Sequence, residues 1–416
     1  MAQIPRDKNL DSTLAFLRDP YRFISKRCER YKSDIFQTRL AFQDTLCMRG
    51  RDAAELFYDP ERFQRKGAMP GVIQKTLTGE GGVQGLDYEA HRHRKQMFMS
   101  LVTPEQVKRL TEITTTLWHT YARKWASMER VPLYDEMREL LSRAVCAWSG
   151  VPLEETEVRR RKSELTALFA YAGSVGPLHL WSRLARRRAE RWIEEHVEHI
   201  RSRKLNPSEQ SAIFTIALHR EPNGDLLSPH VAAVELLNVL RPTVAVSVFI
   251  VFAAHAMHEQ PEVRQRLATG EEDYAERFVQ EVRRFYPFFP SAVARVRRDF
   301  NHKGYSFNQG TRALLDLYGT NPDARTWNTP EAFQPDRFLT WDGSPFNFIP
   351  QGGGNPAVTH RCPGEGIAVE LMKAAVGFLT RDITYDVPDQ NLELDFSRLP
   401  ALPRSRFVVS SVRPNL

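Results

Sequence analysis

The sequence predicts a mainly α-helical fold with small peripheral β-sheets, and three observations carry that reading. Apolar residues recur at the spacing of one helix face through most of the middle of the 416-residue chain. Short runs rich in β-branched and aromatic residues lie near the two ends. No repeat or low-complexity linker separates these parts. Residues 1–416 are therefore expected to form one intertwined domain, although the length alone would admit two or three.

Helical periodicity runs through residues 104–125, 153–172 (just after Gly150-Val-Pro) and 181–203. A longer helix is expected over about 229–258, because Ser228 suits a cap and Pro229 suits the first turn. Two more follow over 274–286, stopped by Pro287, and over 363–380. Strands are expected over 35–42, 45–49, 292–300, 311–318, 383–387 and 406–412.

With 42% hydrophobic and 26% charged residues, the composition is that of a soluble globular protein large enough to enclose a sizeable cofactor. Cys28, Cys47, Cys146 and Cys362 are widely spaced and include no CxxC pair. That pattern speaks against a disulfide framework or a zinc ribbon and fits a reducing compartment. The N-terminus lacks the apolar core of a secretory signal, and the longest apolar run, 244–257, is too short to cross a bilayer. A cytoplasmic protein without a membrane span is expected. The net charge of +7 favours acidic partners. Its densest basic run, 183–191, reads as a solvated helix face. Without interleaved aromatics it does not point to nucleic acid, and anionic amphiphiles suit the charge better.

The chemistry concentrates near the C-terminus. Phe348-Ile-Pro-Gln-Gly-Gly-Gly-Asn-Pro-Ala-Val-Thr-His-Arg-Cys362-Pro-Gly364 sets one cysteine between a glycine-rich loop and a helix start. Backbone N–H groups at such a turn favour a thiolate, which can serve as an axial ligand to haem iron. Buried cysteines also serve as small hydrophobes, so the loop alone leaves both readings open. Upstream, Glu281 and Arg284 share a helix face one turn apart, a spacing common among surface pairs. Phe333-Gln-Pro335-Asp-Arg337-Phe338 then supplies a second arginine. Together these groups could form a mutually satisfied buried network that fixes the cysteine loop.

In this order and spacing the three motifs resemble the cytochromes P-450, and the resemblance covers nearly the whole chain. It implies that fold, a haem b whose iron is ligated by Cys362, and contacts from His91, Lys95, Arg295 and His360 to the haem carboxylates. Two departures stand out. The usual loop has glycine four residues before the cysteine and phenylalanine seven before, where this chain has Val358 and Asn355. The loop is therefore expected to be longer. The helix over the haem normally carries an acid–alcohol pair that delivers protons. Here it reads Leu237-Asn-Val-Leu-Arg241-Pro242-Thr243, with no Asp or Glu between Glu235 and Glu259.

Pro242 removes a helix hydrogen bond and is expected to kink the segment. Arg241 sits in an apolar stretch with no carboxylate three or four residues away, where an unpaired guanidinium is penalised. It could reach the surface or a distant acid. The alternative is that its partner is the substrate: a carboxylate held by two charge-assisted hydrogen bonds would also restore the missing acid–base group. Hydrogen peroxide could then serve as oxidant without a redox partner.

Arg241-Pro242, Gly81-Gly-Val-Gln84-Gly and Pro350-Gln-Gly-Gly-Gly look like the bacterial fatty-acid peroxygenase branch of the cytochromes P-450. That resemblance implies hydroxylation of long-chain fatty acids beside the carboxyl group. Gln84 stands where alkene-forming members tend to carry histidine. It cannot donate a proton as histidine can, which favours hydroxylation. Phe288 and Phe289 would press the chain so that the α carbon faces the iron. Thr78 stands in a loop where a leucine would line the tail channel and could shift chain-length preference or regiochemistry at the substrate, although ordinary packing explains it better. The alternatives are β-hydroxylation or decarboxylation at the same site, a reductase-dependent monooxygenase, and a haem-thiolate sensor or fatty-acid carrier.

Overall fold

The longest apolar segment forms the longest helix, and the other helices pack round it. In this computed structural model, which describes residues 3–271 and 273–415, that helix is Pro229–Glu259. In chain order the helices are α1 (Thr13–Arg18), α2 (Phe23–Tyr31), α3 (Arg51–Phe57), α4 (Gly71–Leu77), α5 (Tyr88–Leu101), α6 (Pro104–Ala126) and α7 (Leu133–Ser149). Then follow α8 (Val158–Ala170), α9 (Pro177–Arg201), α10 (Ala212–Ala217), α11 (Pro229–Glu259), α12 (Pro261–Thr269), α13 (Tyr274–Phe285), α14 (Leu317–Thr320) and α15 (Glu365–Gly377). The start of α11 is as expected: the Ser228 hydroxyl accepts from Val231 N–H at 3.2 Å, and Pro229 opens the helix. The helix is long and apolar enough to span a membrane, but 94% of its apolar window is buried inside the protein. Packing against α7, α8, α9 and α15 explains that burial, so it is a core helix that is hydrophobic all round.

Strands β1 (Ile35–Leu40), β2 (Gln43–Met48), β3 (Phe63–Gln64), β5 (Ser291–Val296) and β8 (Arg312–Asp316) form one sheet in the order β1-β2-β8-β5-β3. Only β2 and β8 pair in parallel within it. A second sheet joins β4 (Arg130–Pro132), β10 (Val408–Pro414) and β9 (Ile383–Asp386), and β6 (Phe300–His302) pairs with β7 (Tyr305–Phe307). The mainly helical expectation with small sheets is met.

Several boundaries differ from the expected ones for local reasons. The first strand ends at Leu40 because Ala41 and Phe42 take φ of 52° and 58°, a tight turn with both central residues left-handed. The run 292–300 divides into β5 and β6, and 311–318 passes from β8 into α14 where the Asp316 carboxylate accepts from Gly319 N–H. The helix before the last strands starts at Glu365 and finishes in a wide turn over Phe378–Asp382. Helix α7 was not anticipated, although it buries Met137, Leu140, Leu141, Ala144, Val145 and Trp148 and ends on Gly150 at φ 78°.

Candidate active site

Helix α15 packs on both α11 and α13, and Cys362 sits in the loop just ahead of it. The cysteine N–H donates to the Gln351 carbonyl at 3.0 Å, which closes the longer loop that the sequence implied. Gly352 and Gly354 take φ of 100° and 85°, and a Cβ on Gly352 would lie 3.0 Å from the Tyr58 hydroxyl and 3.1 Å from the Arg361 backbone. Glycine is required there both by conformation and by space. Gly353 N–H faces Tyr58, whose phenol sits under the turn. The thiol is only partly enclosed by protein. Burial pushes its pKa up, with Glu365 adding to the effect, while the Gly364 N–H, Lys95 and Arg283 pull it down.

The Glu281 motif is a closed buried network. Glu281 accepts from Arg284 at 2.6 and 2.8 Å, from Arg337 Nε at 3.1 Å and from Gln334 N–H at 2.7 Å. Arg284 also donates to the carbonyls of Pro330 and Ala332, and Arg337 to those of Asn328, Thr329 and Ala332. Next along α13, Arg283 pairs with Glu365 and donates to Gln351 at 3.1 Å, which ties α13 to the cysteine loop. Glu281→Ala would strand two buried guanidiniums, so it should cost about 3–5 kcal/mol. Chemical denaturation of the purified protein measures this, and a cost under about 1 kcal/mol would contradict the network's role.

Arg241 lies on α11, 8% exposed; its side chain has no hydrogen bond or ion pair to another described residue, and its Nη1 is a buried donor without a partner. It neither reaches the surface nor meets an acid. Burial lowers its pKa to about 9, with Arg186 pushing the same way and Cys362 opposing. Helix α11 packs on α15, the helix that follows Cys362. Helix α11 runs unbroken through Pro242, and the Thr243 hydroxyl donates to the Val239 carbonyl at 2.9 Å.

One turn before Arg241, Asn238 gathers the loop that follows α4. Its Nδ2 donates to the Thr78 carbonyl at 3.1 Å, to Gln84 Oε1 at 3.2 Å and to Glu235 Oε2 at 3.1 Å. Glu235 also accepts from Arg94 at 2.6 Å and from Val83 N–H at 2.8 Å, and burial raises its pKa. Gln84 is thus held beside the Arg241 helix. The Thr78 hydroxyl donates to Met69 Sδ at 3.7 Å, the packing role that the sequence left open. Phe288 stacks on Phe249, two turns along from Arg241, with ring centroids 4.1 Å apart. The ring contact of Phe289 is with Phe288, and it stays 38% exposed.

His91 and His360 stack at 3.9 Å, and Lys95 Nζ donates to the Arg361 carbonyl at 2.5 Å. All three are thus drawn toward the cysteine loop, and the 91–95 segment is not a solvated helix face, since His91 and Lys95 are buried. Burial lowers His91 to about 4, with Lys95 adding to it, and lowers Lys95 to about 8. His360 is pushed well down by burial, then by Arg65 and His91. Arg65 was missed in the sequence: it is 9% exposed, lies over the Phe57 ring at 4.3 Å and feels these histidines. Its only sequence signal was a lone arginine between short elements. Arg295, by contrast, is not brought into this cluster. On β5 the neighbouring Ala294 and Val296 are buried, so alternation turns Arg295 to the other face. There it donates to the Gly67 and Gly310 carbonyls at 2.7 and 2.8 Å.

The cations Lys95 and Arg65, beside two imidazoles that burial keeps neutral, His91 and His360, make a donor set suited to carboxylates. Combined with a partly open thiol and an orphan guanidinium, it fits a haem held by sulfur on one side and bearing two acid groups. Among the described residues no cluster of His, Cys, Asp and Glu suits a bare metal ion. A groove of about 1060 Å³ opens beside Cys362, between α6, α13 and α15.

Comparisons with known proteins agree with this geometry. The profile of the cytochrome P-450 family matches residues 270–405. Among curated proteins, the Luvungin A synthase of Citrus sinensis is 21% identical over 406 residues, 89% of this chain and 84% of its own length. Among solved structures, cytochrome P-450SP alpha in complex with (R)-ibuprophen is 53% identical with a TM-score of 0.95, covering 97% of this chain and 99% of its own. Wild-type cytochrome P-450EX alpha with myristic acid is 46% identical at a TM-score of 0.96, with 99% of both chains covered. A substituted cytochrome P-450 OleT in complex with arachidonic acid is 36% identical at 0.96, covering 100% of this chain and 99% of that one.

Proposed function

The chain belongs to the cytochromes P-450, in their fatty-acid peroxygenase branch, and from that premise we propose that it uses hydrogen peroxide to hydroxylate long-chain fatty acids at the α carbon. The observation that carries this reading is the buried guanidinium of Arg241, without a side-chain partner among the described residues, on the helix that packs against α15 just after Cys362. In this reading residues 1–416 form one haem-thiolate domain working in the cytoplasm.

Cys362 would hold a haem b by its sulfur, with His91, Lys95 and His360 at the haem carboxylates and Arg65 beside them. When bound, that group supplies the peroxide activation and oxygen transfer that no side chain performs. Arg241 binds the substrate carboxylate through two parallel N–H donors, which fixes the acid head and leaves the α carbon nearest the reacting centre. The carboxylate then takes a proton from the peroxide and returns it to the departing oxygen, the role that the missing acid–alcohol pair would otherwise serve. Pro242 leaves the Asn238 carbonyl without its helical N–H partner, next to the residue that binds the acid. Gln84, held by Asn238, offers no titrating proton, which disfavours loss of the carboxyl group as carbon dioxide. Phe288, braced on Phe249, narrows the site behind the carboxyl end.

The complexes of two similar proteins with myristic and arachidonic acid support a long-chain acid as substrate. The groove beside Cys362 supports peroxide over a redox partner. Its rim carries Glu112, Glu276, Glu365 and Glu370 against Lys108 and Arg283, a poor surface for an acidic electron donor. Purified holoenzyme with palmitic acid and hydrogen peroxide should give 2-hydroxypalmitic acid as the main product by mass spectrometry. Product that forms only with an electron-transfer chain, or mainly the 3-hydroxy acid or a terminal alkene, would overturn this proposal.

A further inference from the structure

Large apolar side chains that reach solvent are concentrated on this molecule. Of fourteen such residues among those described, Leu10, Leu14, Leu17 and Phe42 form one group, and Val175, Leu178, Leu180 and Leu184 another. Scattered single residues would need no explanation, but contiguous groups do. The first group is one patch. The Phe42 N–H donates to Asp11 at 2.7 Å and the Ala41 N–H to the Thr13 hydroxyl at 2.6 Å, which pins the β1–β2 turn against the start of α1. Phe42 is 79% exposed and Leu14 72%. The second group forms the α8–α9 loop and the first turns of α9, where Val175 is 75% and Leu180 69% exposed.

One loop joins the two patches. Gly173 lies so close to Leu399 that a Cβ would stand 3.0 Å from its Cδ1. The same loop meets the chain just after α1: Arg22 lies over Phe396 at 4.3 Å, and the Ala401 N–H donates to the Tyr21 hydroxyl at 3.2 Å. That hydroxyl in turn donates to the Phe288 carbonyl at 2.9 Å, so the face borders the segment placed at the substrate.

Charge selects the occupant. Helix α9 continues from Leu180 and Leu184 into Arg187, Arg188 and Arg191 at helical spacing, and all three are exposed. Among the described residues none of the three, nor Arg183, has an acidic partner, whereas the buried Arg186 is paired with Glu190 at 2.6 Å. An acidic protein would match the arginines but leave the leucines in water. A neutral apolar partner would match the leucines and leave the charges uncompensated. Apolar tips beside unpaired arginines suit an interface in which hydrocarbon lies just beneath anionic headgroups.

We propose that this face docks the protein on an anionic lipid bilayer, from which a fatty acid can enter without crossing water. The supply of substrate rests on the fatty-acid reading above; the docking itself does not.

Flotation of the holoenzyme with vesicles tests docking without turnover. Vesicles of phosphatidylcholine mixed with phosphatidylglycerol should carry the protein upward, vesicles of phosphatidylcholine alone should leave it behind, and salt should release it. Arg187→Ser with Arg188→Ser should weaken the partition by roughly fivefold per arginine. Leu180→Ser with Leu184→Ser, and separately Leu14→Ser with Phe42→Ser, should also weaken it, with the haem spectrum unchanged as a check on folding. The proposal falls if neutral and anionic vesicles bind equally, if neither binds, or if the variants bind like the parent. It also falls if gel filtration shows a dimer that the leucine variants split, since a second copy then covers the face. Loss of peroxide turnover with vesicle binding intact would count against the proposed reaction and not against docking.

Discussion

Arg241→Ala should reduce peroxide-driven oxidation of palmitic acid by on the order of a thousandfold, because it removes both the grip on the carboxylate and the acid–base group that the carboxylate provides. The visible haem spectrum should stay close to that of the parent, since the Arg241 side chain makes no hydrogen bond or ion pair with another described residue. Arg241→Lys should recover only part of the activity. A single ammonium point charge cannot reproduce two parallel donors. Short carboxylic acids, added to the parent as decoys, should switch on oxidation of a neutral substrate, and should fail to do so in Arg241→Ala. Full activity in Arg241→Ala would show that the acid head is bound elsewhere.

Cys362→Ala should bring oxidation of every substrate down to background and remove the thiolate signature from the carbon monoxide difference spectrum. The loop should survive the change. Its closure rests on the cysteine backbone N–H bonded to Gln351 and on Arg361 paired with Glu365 at 2.6 Å, not on the sulfur. Circular dichroism matching the parent would separate loss of ligation from loss of fold. Retained peroxide activity with an intact spectrum would mean that another group ligates the iron.

The elements that sequence made legible are those fixed by local rules. The start of α11 follows from a serine cap and a proline in the first turn, and the Glu281 network follows from residues whose spacing admits few arrangements. The isolation of Arg241 was legible for the same reason, since a helix fixes which neighbours can reach a side chain. What was not legible depends on how distant segments meet. Arg65, just after β3, reaches His91 and His360 from a distant part of the chain, and Arg295 leaves that group because alternation along β5 turns it to the other face. The ends of β1 and β8 are set by a left-handed turn and an aspartate cap, where propensity alone would run the strands on.

The orphan guanidinium of Arg241 also bears on how firmly the protein holds together. An unpaired buried cation costs several kcal/mol of folding free energy, and an apolar side chain of similar volume would avoid that cost. Function at this position is therefore set against stability, and the deficit is made up each time an acid is bound. Occupancy and melting temperature become linked quantities: anything that satisfies the charge stabilises the whole chain by mass action, in proportion to the logarithm of its concentration over its dissociation constant.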